Sequence, residues 1–182
     1  MYLNAFMHNA LPSFRYTSIQ LNRGYACKLH VDSNNVGPSA IIAVGNFEGG
    51  DLWIMDEDGD CPQQITEAMK GWPGKPGTTI PGRTVSVKNR IVYFNGNRPH
   101  KTFPFTDERM SLVFFTTSAW RKMHQKTRAE LERLGFPLPD GLPECSIARS
   151  AVASGMPRGK AATYQYQPSG KRECLRPVHP NP

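Results

Sequence analysis

His30 and Asp32 stand two residues apart in the stretch Tyr25 to Asp32. That stretch reads as a strand, so both side chains leave the backbone on one face. An imidazole and a carboxylate placed in this way can share a metal ion. Two histidines and one carboxylate would hold Fe(II) on one facet and leave the remaining positions open for chemistry. His100 is the candidate for the second histidine, because it follows an apolar strand (Ile91, Val92, Tyr93, Phe94) and the turn Asn95-Gly96-Asn97. His-x-Asp alone is a weak signal in a chain with five histidines and 15 acids, where it reads equally well as a partly exposed strand pair.

Arg109 strengthens the case. It heads the apolar run Met110 to Phe115, and an unpaired charge buried there would be costly. A buried anion would resolve that cost, and 2-oxoglutarate is one. Its keto-acid end can chelate iron while its far carboxylate takes a two-pronged, charge-assisted bond from a guanidinium. Strand alternation places Arg109, Ser111, Val113 and Phe115 on one face, so if Arg109 points inward, Phe115 does too.

The order His30-x-Asp32, His100, Arg109-x-Ser111-Leu-Val-Phe-Phe115 resembles the 2-oxoglutarate and iron(II) dependent dioxygenases. Within them it is most similar to the TET/JBP group of nucleic-acid base hydroxylases. The phrases that carry this are Tyr16 to Asn22, Asn35-x-Gly-x-Ser39 with Gly45-x-Phe-x-Gly-Gly50-x-Leu52, and Arg109 to Phe115, over roughly residues 14 to 118. The resemblance implies that His30, Asp32 and His100 are the catalytic metal ligands and that Arg109 with Ser111 holds 2-oxoglutarate. It implies that Asn35 bonds a flipped base and that Phe115 stacks on it where the animal enzymes have tyrosine. Fe(II), 2-oxoglutarate and O2 would then hydroxylate the methyl group of 5-methylcytosine or thymine in DNA. Two alternatives stand beside this reading: a prolyl or small-molecule hydroxylase of the same fold, and a non-catalytic nucleic-acid-binding relic.

The elements that must position these residues read as mainly β. Residues 1–12 are a lead-in or short helix, and Phe14 to Asn22 is a strand before the metal strand Tyr25 to Asp32. Ala40 to Phe47 and Asp51 to Met55 read as a hairpin about Glu48-Gly49-Gly50. Asp56 to Asp60 reads as a solvated acidic turn, and 71–82, rich in Gly and Pro, as a long loop. Thr84 to Val87 and Arg90 to Phe94 are strands joined at Lys88-Asn89, and Ser111 to Thr116 is the last strand. Trp120 to Leu134 has helical spacing, capped by Ser118 and stopped by Gly135. Six or more short strands with turn signals fit a double-stranded β-helix, or jelly roll. A flanking C-terminal helix and a disordered basic tail complete the expected architecture.

At 182 residues the chain suits one oxygenase domain, 1–148, with a Pro- and Gly-rich tail, 149–182. That tail holds six of the 22 Lys and Arg but one of the 15 Asp and Glu, a composition that suits DNA phosphates and cannot bury enough surface to order itself. No apolar run approaches a membrane span, so no membrane partner is expected. The N-terminus lacks the regions of a signal peptide, so an intracellular protein is expected, nuclear in a eukaryote. The four cysteines contain no Cys-x-x-Cys, and no zinc knuckle is suggested.

Overall fold

A computed structural model describes residues 2–140. The expected boundary near residue 148 and the basic tail lie outside the described residues. In chain order the elements are α1 (Tyr2–Ala10), β1 (Ser18–Arg23), β2 (Ser39–Val44), β3 (Phe47–Gly49), β4 (Leu52–Met55), β5 (Gln63–Gln64) and β6 (Thr79–Ile80). There follow β7 (Gly82–Val85), β8 (Val92–Phe94), β9 (His100–Thr102), β10 (Phe105–Asp107), β11 (Met110–Phe115), a 3-10 turn (Ser118–Lys122) and α2 (Gln125–Arg133). The fold is mainly β, and every paired strand is antiparallel to its neighbours. Among the described residues no helix is long and apolar enough to cross a membrane.

Two sheets matter for the site: β1-β11-β2-β8 and β7-β4-β9. Alternation along β2 and β4 explains why Ala40 to Ala43 and Leu52 to Ile54 are apolar at every position. Ile41 and Ala43 of β2 pack with Leu52 and Ile54 of β4, Val85, Val92 and Phe94 in a central core. The intervening Ala40 and Ile42 face a second cluster with Met7, Phe14, Tyr16 and Phe114, which α1 helps to close. Trp53 of β4 faces a third, with Ile65 and Ile80. Strands covered on both faces need apolar residues at odd and even positions alike.

Four expectations about secondary structure are corrected. Tyr25 to Asp32 is not a continuous strand: Cys27 accepts from Thr102 N at 3.0 Å and His30 forms an isolated bridge to His100, but no ladder runs through the segment. The hairpin does not form either. β2 pairs with β11 and β8, whereas β4 pairs with β7 and β9, so residues 45–51 carry the chain from one sheet to the other. β7 and β8 likewise lie in different sheets. Local alternation says which residues are covered and is silent on which strand covers them. Last, the C-terminal helix is broken, because Met123 and His124 are extended; His124, not Ser118, caps α2 by accepting from Lys126 N at 3.3 Å.

Asp56 is also not solvated. It is 1% exposed, ion-paired with Arg83, and accepts from Asp58 N at 3.1 Å.

Candidate metal centre

The antiparallel bridge between His30 and His100 decides the site. His30 N donates to His100 O at 3.0 Å and His100 N to His30 O at 2.9 Å, which sets the two rings side by side, tilted by 51° with centroids 4.2 Å apart. Asp32, two residues beyond the bridge, then lies against both. Its Oδ1 is 3.5 Å from His30 Nε2 and its Oδ2 is 3.7 Å from His100 Nε2. One ligand atom from each of the three side chains falls within 4.8 Å of the others. Sequence reasoning and structure agree on this convergence.

Both rings are held in the same way. Nδ1 of His30 lies 2.8 Å from Lys28 O, and Nδ1 of His100 lies 2.8 Å from Arg98 O. A carbonyl oxygen only accepts, so Nδ1 carries a proton in each ring. Nε2 is thereby turned toward Asp32 as the available ligand, the tautomer control that metal-bound histidines usually show.

The charges differ between the two rings. Hydrogen bonding to Asp32, aided by Cys27, pushes His30 up to about 10, so the ring is a cation in the metal-free protein. His100 is 5% exposed, and burial, reinforced by the His30 charge, lowers it to about 4. Burial works against the Asp32 charge, but the bond from His30 and the charges of the histidines outweigh it and hold the carboxyl below its usual range. The centre is thus an anion, a neutral imidazole and an exchangeable proton. A divalent cation replacing that proton would meet two neutral nitrogens and a carboxylate, a donor set that fits Fe(II).

Arg109 is buried, at 1% exposed, just before β11. Its guanidinium carbon lies 5.5 Å from the Phe47 ring centroid and 5.3 Å from that of Phe105. Nε and Nη2 have no hydrogen-bond partner, and these two nitrogens form one edge of the guanidinium, the edge that grips a carboxylate side-on. Gly50 makes room for this group: it sits at φ +68, and a Cβ there would lie 2.9 Å from Arg109 Nε. A buried cation with an orphaned donor edge is what the far carboxylate of 2-oxoglutarate would satisfy.

Ser111 is buried on β11 and accepts from Asn22 Nδ2 at 3.4 Å, so its hydroxyl proton stays available. Asn22, opposite Ser111 in the β1–β11 register, is a supporting residue that sequence reasoning did not single out. Asn35 bridges to Thr117, which sets it beside the strand end that carries the half-buried Phe115. Its Nδ2 donates to Asp32 Oδ2 at 3.1 Å and to Ser39 Oγ at 3.3 Å. Cys27 Sγ lies 3.7 Å from each ring nitrogen of His30, a neighbour that the spacing Cys-x-x-His could have signalled.

No protein-family profile matches the sequence, nor does any curated protein. Among solved structures, the chain is similar to a crystal structure of an oxidoreductase of the 2OG-Fe(II) oxygenase family from Burkholderia pseudomallei, at 18% identity and a TM-score of 0.38. The match covers 62% of this chain and 50% of that one. A likeness so slight assigns no family. The functional reading rests on the side chains.

Proposed function

We propose that this chain is an Fe(II)/2-oxoglutarate dioxygenase that hydroxylates a methyl group on a nucleic-acid base, 5-methylcytosine or thymine in DNA. The observation that carries the oxygenase part is the pairing of two features: a His30, Asp32, His100 cluster with both Nε2 atoms facing the carboxylate, and a buried guanidinium whose carboxylate-gripping edge has no partner. We read the facing sheets as the two walls of a double-stranded β-helix, with the cluster at the mouth near β9.

His30, Asp32 and His100 would hold the iron, and Arg109 with Ser111 the far carboxylate of 2-oxoglutarate. When bound, the metal, cosubstrate and O2 together supply an oxidant able to take hydrogen from a methyl group, while the protein supplies position. Burial of Arg109 keeps water from competing for the carboxylate, and the backbone bonds of the two Nδ1 atoms keep the rings from rotating out of the site. Asn35 and Phe115 face the substrate in this reading. Because a carboxylate only accepts, the Asn35 amide must turn Nδ2 toward Asp32, leaving Oδ1 for the substrate. It would therefore recognise an N–H on the edge of a base extruded from the duplex. Residues 149–182 would add affinity for phosphates.

Conversion of 2-oxoglutarate to succinate, dependent on Fe(II), tests the oxygenase reading. Mass spectrometry of nucleosides after incubation with methylated DNA tests the substrate. Succinate without an oxidised base, but with turnover on a peptide or small molecule, would leave the oxygenase and move the substrate.

A further inference from the structure

Asp32 is gripped by neighbours other than the two histidines. Its N donates to Gly96 O at 2.6 Å, and its own carbonyl accepts from Asn35 N at 3.0 Å. Asn35 Nδ2 reaches Oδ2 at 3.1 Å. Asn97 Nδ2 in turn holds Asn35 O at 2.9 Å, and Asn97 N is itself held by Asn95 Oδ1 at 3.0 Å. The turn Asn95-Gly96-Asn97 thus clamps the segment 32–35 directly before its own chain delivers His100 into β9.

Gly96 is needed for contact rather than for conformation. Its φ lies outside the left-handed region, so the backbone there would accept alanine. Space would not: a Cβ would lie 2.8 Å from Asp32 Oδ2, 2.9 Å from Asn35 Nδ2 and 3.3 Å from Asp32 Cβ. The terminal torsion of an aspartate is broad, and a free carboxylate would sample many orientations. Here one oxygen is left toward each histidine.

Resting on the reading of the triad as a metal site, we propose that Asn35 and Gly96 are positioning residues that set the Asp32 carboxylate for the metal before any metal arrives. Asn35 acts by donating to Oδ2, and Gly96 by the absence of a side chain beneath it. This assigns Asn35 a task at the metal centre in addition to any contact with substrate.

The test is Co(II) titration of the metal-free full-length protein, followed by calorimetry and by the visible d–d spectrum. The variants are Asn35→Ala, Gly96→Ala and, as control, Ser39→Ala, which touches Asn35 but not Asp32. Partners that orient metal ligands are worth about 10- to 100-fold in affinity. Asn35→Ala and Gly96→Ala should each weaken Co(II) binding by that factor and alter the spectrum, while Ser39→Ala stays within about threefold, well under one decade. Thermal melts of the metal-free variants separate folding from binding, and if Gly96→Ala does not fold, Asn35→Ala decides alone. A parent protein that binds no Co(II) overturns the metal site itself. A parent that binds, with Asn35→Ala binding within about threefold and with an unchanged spectrum, overturns the positioning role and leaves the metal site standing.

Discussion

His30 and His100 exchange both backbone hydrogen bonds, at 3.0 and 2.9 Å, as an isolated antiparallel pair with no strand continuing on the His30 side. Directly opposed residues of a hydrogen-bonded pair sit close together with their side chains on one face. The bridge therefore makes a two-histidine site out of residues distant in the chain, and Asp32 follows at the spacing that returns it to the same side.

Removing any one of the three side chains should cost more than removing a residue that merely orients them. His30→Ala, Asp32→Ala and His100→Ala are each expected to weaken Co(II) or Fe(II) binding by more than about 100-fold, beyond the range for orienting partners. Calorimetric titration checks this, and a single variant that keeps parental affinity would remove its residue from the ligand set.

Arg109 carries a charge with no partner on its Nε–Nη2 edge. Charge-assisted bonds are worth roughly 1.5 to 3 kcal/mol each, so Arg109→Met should raise the 2-oxoglutarate requirement at least about tenfold. The metal-free variant should melt no lower than the parent, because an unpaired buried cation contributes no stability. A parental response to 2-oxoglutarate in thermal melts of the variant would place the cosubstrate elsewhere.

The two histidines predict opposite arms in the pH–stability curve of the metal-free protein. His100 titrates at about 4 when folded, below its ordinary 6.5. The unfolded chain binds the extra proton between those values, so this stability is present above 6.5 and lost as pH falls toward 4. His30 titrates at about 10 when folded, so its contribution is present below 6.5 and lost as pH rises toward 10. Denaturant melts across pH should show a maximum near 6.5, with His100→Asn flattening the acid arm and His30→Asn the alkaline one. Arms that persist in both variants would assign them to other groups.

Phe115 belongs to none of the buried clusters of the described residues, so Phe115→Ala should leave thermal stability nearly unchanged. Base stacking on an aromatic ring is worth roughly 1 to 3 kcal/mol, which predicts at least about a fivefold loss of base oxidation. Slow succinate formation without DNA should persist. Parallel loss of both reactions would mark the ring as structural.

Asp56 is buried against Arg83, and breaking a buried pair by removing one partner costs about 3 to 5 kcal/mol. Arg83 is a third exposed, so the low end applies to Asp56→Ala. A melt within 1 °C of the parent would show that solvent compensates the freed arginine.

What the sequence determined by itself was local. His30-x-Asp32 placed two ligand types within one short segment, the charge at Arg109 stood out against the apolar residues after it, and the segments Ala40 to Phe47 and Asp51 to Met55 read as strands. Those are properties of residue type and of period two, and neither needs a partner to be named. Partners were another matter. Turn signals at Glu48-Gly49-Gly50 and Lys88-Asn89 suggested hairpins, yet at both places the chain leaves one sheet for the other, because a turn sequence fixes local dihedrals and the neighbour of a strand is chosen by the whole core. The same limit hid the Asp32, Asn35 and Gly96 contacts, which depend on a close approach between segments distant in the chain. Only tertiary structure decided that His100 would sit opposite His30, that Arg109 would be sealed between Phe47 and Phe105 with one edge free, and that Asp56 would be buried rather than wet.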